Sequence, residues 1–115
     1  MIEFLTILFK LIIGHALADF SLQTDAMAKG KNRNRKPDYI PEGQKYMPTW
    51  YYWLSAHALI HAGAVWLITG MPILALFQFI THWIIDFVKC ENWTNPHQDQ
   101  FLHGIVLILT AIIAL

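Results

Sequence analysis

Four apolar runs, at about residues 2–23, 51–69, 71–90 and 99–115, limit what this chain can fold into. A bilayer's hydrocarbon core takes about 20 apolar residues per helix, and the runs are of that order. They fill about 80 of the 115 residues, which leaves no room for a soluble domain. The expected fold is all-α: a transmembrane four-helix bundle forming one integral membrane domain over residues 1–115. Composition agrees, with 56% hydrophobic and 14% charged residues, where soluble domains carry roughly half and a quarter. The opening Met-Ile-Glu has no basic n-region, so the first run reads as a retained anchor rather than a signal peptide.

The joints between runs are polar. "TGMP" at 69–72 makes a tight turn, with Gly70 suited to a helix C-cap and Pro72 to a first turn. "CENWTNPHQD" at 90–99 is short, and its Pro96 stops the third helix or starts the fourth. The connection at about 24–50 is long and basic, and Pro37, Pro41 and Pro48 argue against a continuous helix. Five of the eight basic residues, Lys29, Lys31, Arg33, Arg35 and Lys36, lie within one eight-residue stretch of it. The positive-inside rule therefore puts this loop in the cytoplasm, and the "TGMP" turn and both termini on the opposite side. Trp50, Tyr51, Tyr52, Trp53 and Trp93 fit an aromatic belt at the cytoplasmic interface. Lys10, inside the first run, either snorkels outward or pairs with Glu3. Zero net charge gives no global attraction for nucleic acid. The basic loop is suited to anionic lipid head groups, although setting topology already accounts for it. Cys90 is the single cysteine, so no intramolecular disulfide forms.

Against this apolar background stands a polar stripe with an internal repeat. "GHALADF" (14–20) and "THWIIDF" (81–87) share His-x-x-x-Asp-Phe near the ends of the first and third runs. "HALIHAG" supplies His57 and His61 near the start of the second, and "DQFLHGI" supplies Asp99 and His103 near the start of the fourth. The chain reads as two tandem hairpins related by an axis along the membrane normal. Residues four apart share a helix face, and all four pairs lie at the cytoplasmic ends. Lys89 returns to the face of His82 after seven residues, and Gln23 continues the first stripe as either a ligand-orienting residue or a cap. Cys90 also continues the third stripe and reads as merely tolerated, while His97 falls in a loop outside the site.

Several readings fit such a stripe. Buried His and Asp can be interhelical hydrogen-bond partners that fix packing, each contributing about 0.6–2 kcal/mol. Three carboxylates near helix centres, at about 3 kcal/mol each on insertion scales, are too expensive for packing alone. Paired histidines on transmembrane helices also suit haem, but haem needs an apolar slot, not three carboxylates. Proton and cation pathways use similar chains, typically with broken helices. A divalent metal suits the residue types best, because imidazole and carboxylate bind zinc, iron and manganese and four-helix bundles build such sites. The expected ligands are His15, Asp19, His57, His61, His82, Asp86, Asp99 and His103, enough for one or two ions, with zinc favoured over iron or manganese. A metal with an open position activates water, which points to hydrolysis.

The segments "GHALADFSLQTDAMAKGK", "HALIH", "HWIIDFVK" and "DQFLH" resemble, in order, a family of small four-helix bacterial and phage membrane proteins defined as a domain of unknown function. The likeness covers nearly the whole chain except the long first loop. It implies a multi-pass inner-membrane protein with periplasmic termini, with His15, Asp19, Gln23, His57, His61, His82, Asp86, Lys89, Asp99, Gln100 and His103 at motif positions. It implies no activity. A weaker similarity to membrane-bound metal-dependent hydrolases favours hydrolysis among the metal chemistries. The expected function is a membrane-embedded metal-dependent hydrolase acting on a lipid or phosphoester near the cytoplasmic interface. Asp19, Asp86 and Asp99 would share general-base duty, Lys89 would attract an anionic substrate, and Gln23 and Gln100 would orient it. The rival class is a non-enzymatic membrane factor, encoded by phage or host, whose stripe holds the bundle or binds a partner.

Overall fold

Local sequence sets the element boundaries. In the computed structural model, which describes all 115 residues, every regular element is helical. Helix α1 spans Ile2–Ala16 and continues into a π-helical turn over Leu17–Ser21. A short helix α2 covers Asp25–Gly30, where Thr24 caps the start by accepting from the Met27 amide at 3.1 Å. Helix α3 spans Trp50–Thr69 and closes on Gly70 in the left-handed region (φ 68°), the conformation glycine permits at a C-cap. Pro72 starts α4, Pro72–Cys90, and Pro96 starts α5, Pro96–Ile113. Asn95 and Gln98 form a reciprocal capping box ahead of α5, so this helix begins three residues before the expected Asp99.

The four long helices close into a ring: α1 packs on α3 and α5, α4 packs on the same two, and neither diagonal pair is in contact. Successive long helices are neighbours, which is the up-down-up-down bundle. The bundle's far end is an ordinary apolar core of Leu11, Val65, Leu74, Leu107 and Ala111. Its loop end is filled instead by polar side chains: His57, His61, Gln78, His82, Asp86, Asp99 and His103 are all at most 2% exposed. Large apolar residues cover the outside, among them Leu59, Leu67, Leu76, Ile84 and Ile112, each more than half exposed.

Ile2–Ser21 and Pro72–Cys90 are long and apolar enough to cross a membrane. The sequence reading expects four such segments. His57 and His61 with four flanking aromatics dilute α3, and the opening Pro-His-Gln-Asp-Gln dilutes α5. Lys10 is exposed and makes no ion pair, so of its two expected alternatives the contact with Glu3 is not the one formed.

The basic loop folds back over the polar end. Gly30 lies against Trp53 of α3, and Arg33 forks onto Glu91 with bonds of 2.5 and 3.1 Å. Asn34 donates to the Cys90 carbonyl at 3.2 Å. The Arg33 guanidinium holds the Glu91 carboxyl below its ordinary value, and Lys29 does the same for Asp38 while its own ammonium is raised.

Candidate metal centre

The two His-x-x-x-Asp pairs stand on α1 and α4, across one diagonal of the ring; the matching pairs of α3 and α5 stand across the other. Each helix thus contributes from its own corner to one point on the axis. Close approach of α1 and α3 is permitted by Gly14, where a Cβ would meet Ile68 Cδ1 at 3.0 Å and Ala64 Cβ at 3.4 Å. Five imidazoles meet on the axis. His61 stacks on His82 with ring centroids 3.6 Å apart, His103 follows at 4.3 Å from His82, and His57 and His15 lie 4.8 and 5.0 Å from His61.

Asp19 sits inside the π-helical turn, where the Leu22 amide donates to the Leu17 carbonyl five residues back at 2.8 Å. Such turns occur frequently at functional sites. Asp19 Oδ1 lies 2.9 Å from His61 Nε2 and 3.2 Å from His57 Nε2, and its Oδ2 lies 3.2 Å from His15 Nε2. Gln100 Nε2 donates to the same Oδ2 at 3.3 Å and to Asp99 Oδ2 at 3.1 Å. The second hairpin answers in kind: His103 Nε2 is 3.2 Å from Asp86 Oδ1 and 3.4 Å from Asp99 Oδ1. His57 links the halves, with Nε2 also 3.3 Å from Asp86 Oδ2.

One residue in this cluster is left without hydrogen bonds. Both ring nitrogens of His82 are buried without a partner, and Nε2 lies 3.5 Å from Asp86 Oδ2 and 3.9 Å from Asp19 Oδ1 without bonding geometry. Buried polar atoms are normally satisfied, so an inward-facing nitrogen of this kind fits a cation. Three overlapping groups have ligand atoms within 4.8 Å of one another and could hold a metal ion: Asp19 with His57, His61 and His82; His15 with His82 and His103; and Asp86 with Asp99 and His103. Ligands about 2.1 Å from a tetrahedral zinc stand about 3.4 Å apart, so small side-chain shifts would complete such a shell.

All eight expected ligands therefore converge. Gln100 joins them at the exposed rim, where the side chains of His15 and Asp19 are 10% and 11% exposed. Lys89 is also at the rim but is engaged with Asp99 Oδ2 at 3.5 Å. Gln23 does not continue the stripe, because the helix ends before it; its amide donates to the Asp19 carbonyl at 3.1 Å. His97 is exposed and apart from the site. Two participants are not among the site residues expected from the sequence. Lys31, only 4% exposed, places Nζ 2.6 Å from Asp86 Oδ2. Gln78 is buried one turn before His82, a continuation of the stripe that the four-residue spacing makes readable. A cavity of about 550 Å³ lies beside α2, lined by Asp25, Lys29, Arg33, Asp38, Tyr46 and Trp53 among others.

A family model described as a protein of unknown function, DUF3307, matches residues 7–115. The chain belongs to this DUF3307 family. Neither the curated proteins nor the solved structures gave a match. The match takes in every residue of the His/Asp centre and the loop that carries Lys31.

Proposed function

We propose that this DUF3307 protein is a membrane-embedded metal-dependent hydrolase whose centre lies beneath the cytoplasmic interface. The observation that carries the reading is His82, a buried imidazole with no hydrogen bond at either nitrogen, amid four other imidazoles and three carboxylates. Four membrane spans, with the basic loop at about residues 24–50 cytoplasmic and the termini opposite, are supported by the apolar exterior around a polar interior and by the basic charge of the loop. His57 Nε2 lies seven residues, or about 10 Å, below the start of α3, a depth suited to a substrate anchored in the inner leaflet.

Asp19, His57, His61 and His82 would hold the ion, with zinc suiting a set of imidazoles and one carboxylate and iron or manganese the alternatives. Such an ion supplies Lewis acidity and activates water. The remaining roles belong to the chain. Gln100 bridges Asp19 and Asp99 at the exposed rim and would orient an incoming polar group. Asp99 accepts from Gln100 at Oδ2, and its Oδ1, buried without a hydrogen bond 3.4 Å from His103 Nε2, is placed to take up a proton. Lys89, at the rim beside Asp99, adds a positive charge that favours an anionic substrate such as a phosphoester head group.

Metal analysis of detergent-purified protein tests this reading, beside a His57→Ala/His61→Ala variant. Bound zinc, iron or manganese in the wild type, lost in the variant, is the expected result, followed by turnover of a phosphoester. Absence of metal after reconstitution with each ion would overturn it. The rival, a non-enzymatic factor whose polar cluster only holds the bundle, draws on the fact that Asp19 ties α1 to α3 and α5. Asp19→Asn separates the two: lost turnover in an inserted, helical protein supports chemistry, whereas misassembly supports the clamp.

A further inference from the structure

The three carboxylates of the centre are not equivalent. Asp19 has only imidazoles and the Gln100 amide around it. Asp86 and Asp99 each carry an ammonium: Lys31 Nζ at 2.6 Å from Asp86 Oδ2 and Lys89 Nζ at 3.5 Å from Asp99 Oδ2. Counting imidazoles as neutral, the Asp19–His57–His61–His82 group has one uncompensated negative charge. The Asp86–Asp99–His103 group is already neutral, and Lys31 holds Asp86 Oδ2, the oxygen next to the Oδ1 that faces His103.

Lys31 is there by construction. It follows a capped helix whose last residue, Gly30, fits against Trp53, and it is the most deeply buried residue of the 24–50 connection. Burying an ammonium is costly unless it is paired; the basic residues around it in sequence, Lys29, Arg33, Arg35 and Lys36, keep greater exposure. The loop of the first hairpin thus delivers a fixed positive charge into the second hairpin's half of the centre.

We infer that the centre takes a single divalent ion, on Asp19, His57, His61 and His82, and that Lys31 is the resident cation that keeps a second ion off Asp86, Asp99 and His103. The inference rests on the metal reading above. It makes Asp86 a positioning residue: its Oδ1 accepts from His103, and its Oδ2 is shared between Lys31 and the edge of His57.

The test is zinc stoichiometry on the full chain in detergent, loaded with zinc and freed of excess. Wild type is expected to retain one equivalent, Lys31→Met two and Lys31→Arg one. The double variant Lys31→Met/Asp86→Asn, which removes the two charges together, is expected to retain one. Two equivalents in the wild type, an unchanged single equivalent in Lys31→Met, or loss of zinc in the double variant would overturn the inference. Zero equivalents in the wild type would instead overturn the metal reading itself. Should the variants fail to insert, X-ray absorption on the wild-type zinc protein decides: an isolated zinc with three imidazoles supports the assignment, and metal–metal scattering at about 3.5–4 Å refutes it.

Discussion

Replacing Gly30 by alanine is a small change that the structure makes large. An ideal Cβ at Gly30 falls 2.5 Å from Trp53 Cδ1 and 2.7 Å from Cγ and Nε1. Carbon atoms prefer about 3.5–4.0 Å, so roughly 1 Å must be found. Alanine improves helix propensity by about 1 kcal/mol, whereas overpacking typically costs about 1–3 kcal/mol. If α2 yields rather than the indole, Lys31 retreats from its 2.6 Å contact with Asp86. At an effective dielectric of about 20, lengthening that contact by about 1 Å weakens the attraction by about 2 kcal/mol. The two routes are alternatives, and either cost of about 2 kcal/mol less the gain of about 1 kcal/mol leaves a net loss of about 1 kcal/mol, or about 4 °C in Tm for a chain of this size. Thermal melts followed by circular dichroism in detergent measure it. The double variant Gly30→Ala/Trp53→Leu supplies the control, because removing the indole should remove the penalty. A Tm that is unchanged or raised in the single variant would refute the docking of α2 on Trp53 and, with it, the account of how Lys31 is placed.

Two further perturbations probe the membrane reading and the loop. Lysine at Leu59 or Ile105, outward positions at the middle of α3 and α5 that are 59% and 40% exposed, should cost about 2.5–3.5 kcal/mol if those helices face lipid. Carbonate-resistant membrane association should then drop sharply; exposure to water would make both changes nearly silent, within about 0.5 kcal/mol. The Arg33–Glu91 clasp should respond to acid. The folded Glu91 carboxyl lies below its ordinary value of 4.5, so its contribution is complete above that value and is lost as pH falls through the lower folded one. The protection factors of residues 32–36, which correct for the intrinsic slowing of exchange in acid, should therefore be highest at neutral pH, fall in acid, and already be low at neutral pH in Glu91→Gln.

The sequence carries the bundle and the eight converging ligands because both follow from one-dimensional rules. Apolar length gives the helices, and four-residue spacing puts His15 with Asp19 and His82 with Asp86 on shared faces. Gly70 and Pro72 announce the turn between α3 and α4 through backbone conformation alone. Helix limits are less legible: the capping box of Asn95 and Gln98 moves the start of α5 forward, and the π-helical turn ends the first helix before Gln23 can join the stripe. Lys31 is hidden for a different reason. Its partner Asp86 is 55 residues away, and four neighbouring basic residues make it look like one more solvated charge. Only the contact of Gly30 with Trp53, a tertiary event, singles it out.

The same contacts bear on whether the polar cluster exists for packing. His15, His57 and His103 each bury Nδ1 without a partner, and His82 buries both nitrogens so. An unsatisfied buried polar atom costs about 1–3 kcal/mol, so the two nitrogens of His82 alone would cost about 2–6 kcal/mol, a large part of the stability of a typical domain. A cluster whose purpose was to clamp helices would do better with two or three satisfied pairs, as the Trp83–Ser55 bond between α4 and α3 does at 3.2 Å. What the arrangement accomplishes instead is to aim imidazole Nε2 atoms from three of the four long helices at Asp19, with Gln100 reaching it from the fourth and Lys31 neutralising its counterpart Asp86. Asp19 accepts from His57, His61 and Gln100, and His82 is the imidazole left without a bond at either nitrogen. A cation beside Asp19 would give His82 Nε2 a partner, and the ammonium that Lys31 places on Asp86 disfavours the same ion on the other side of the bundle axis.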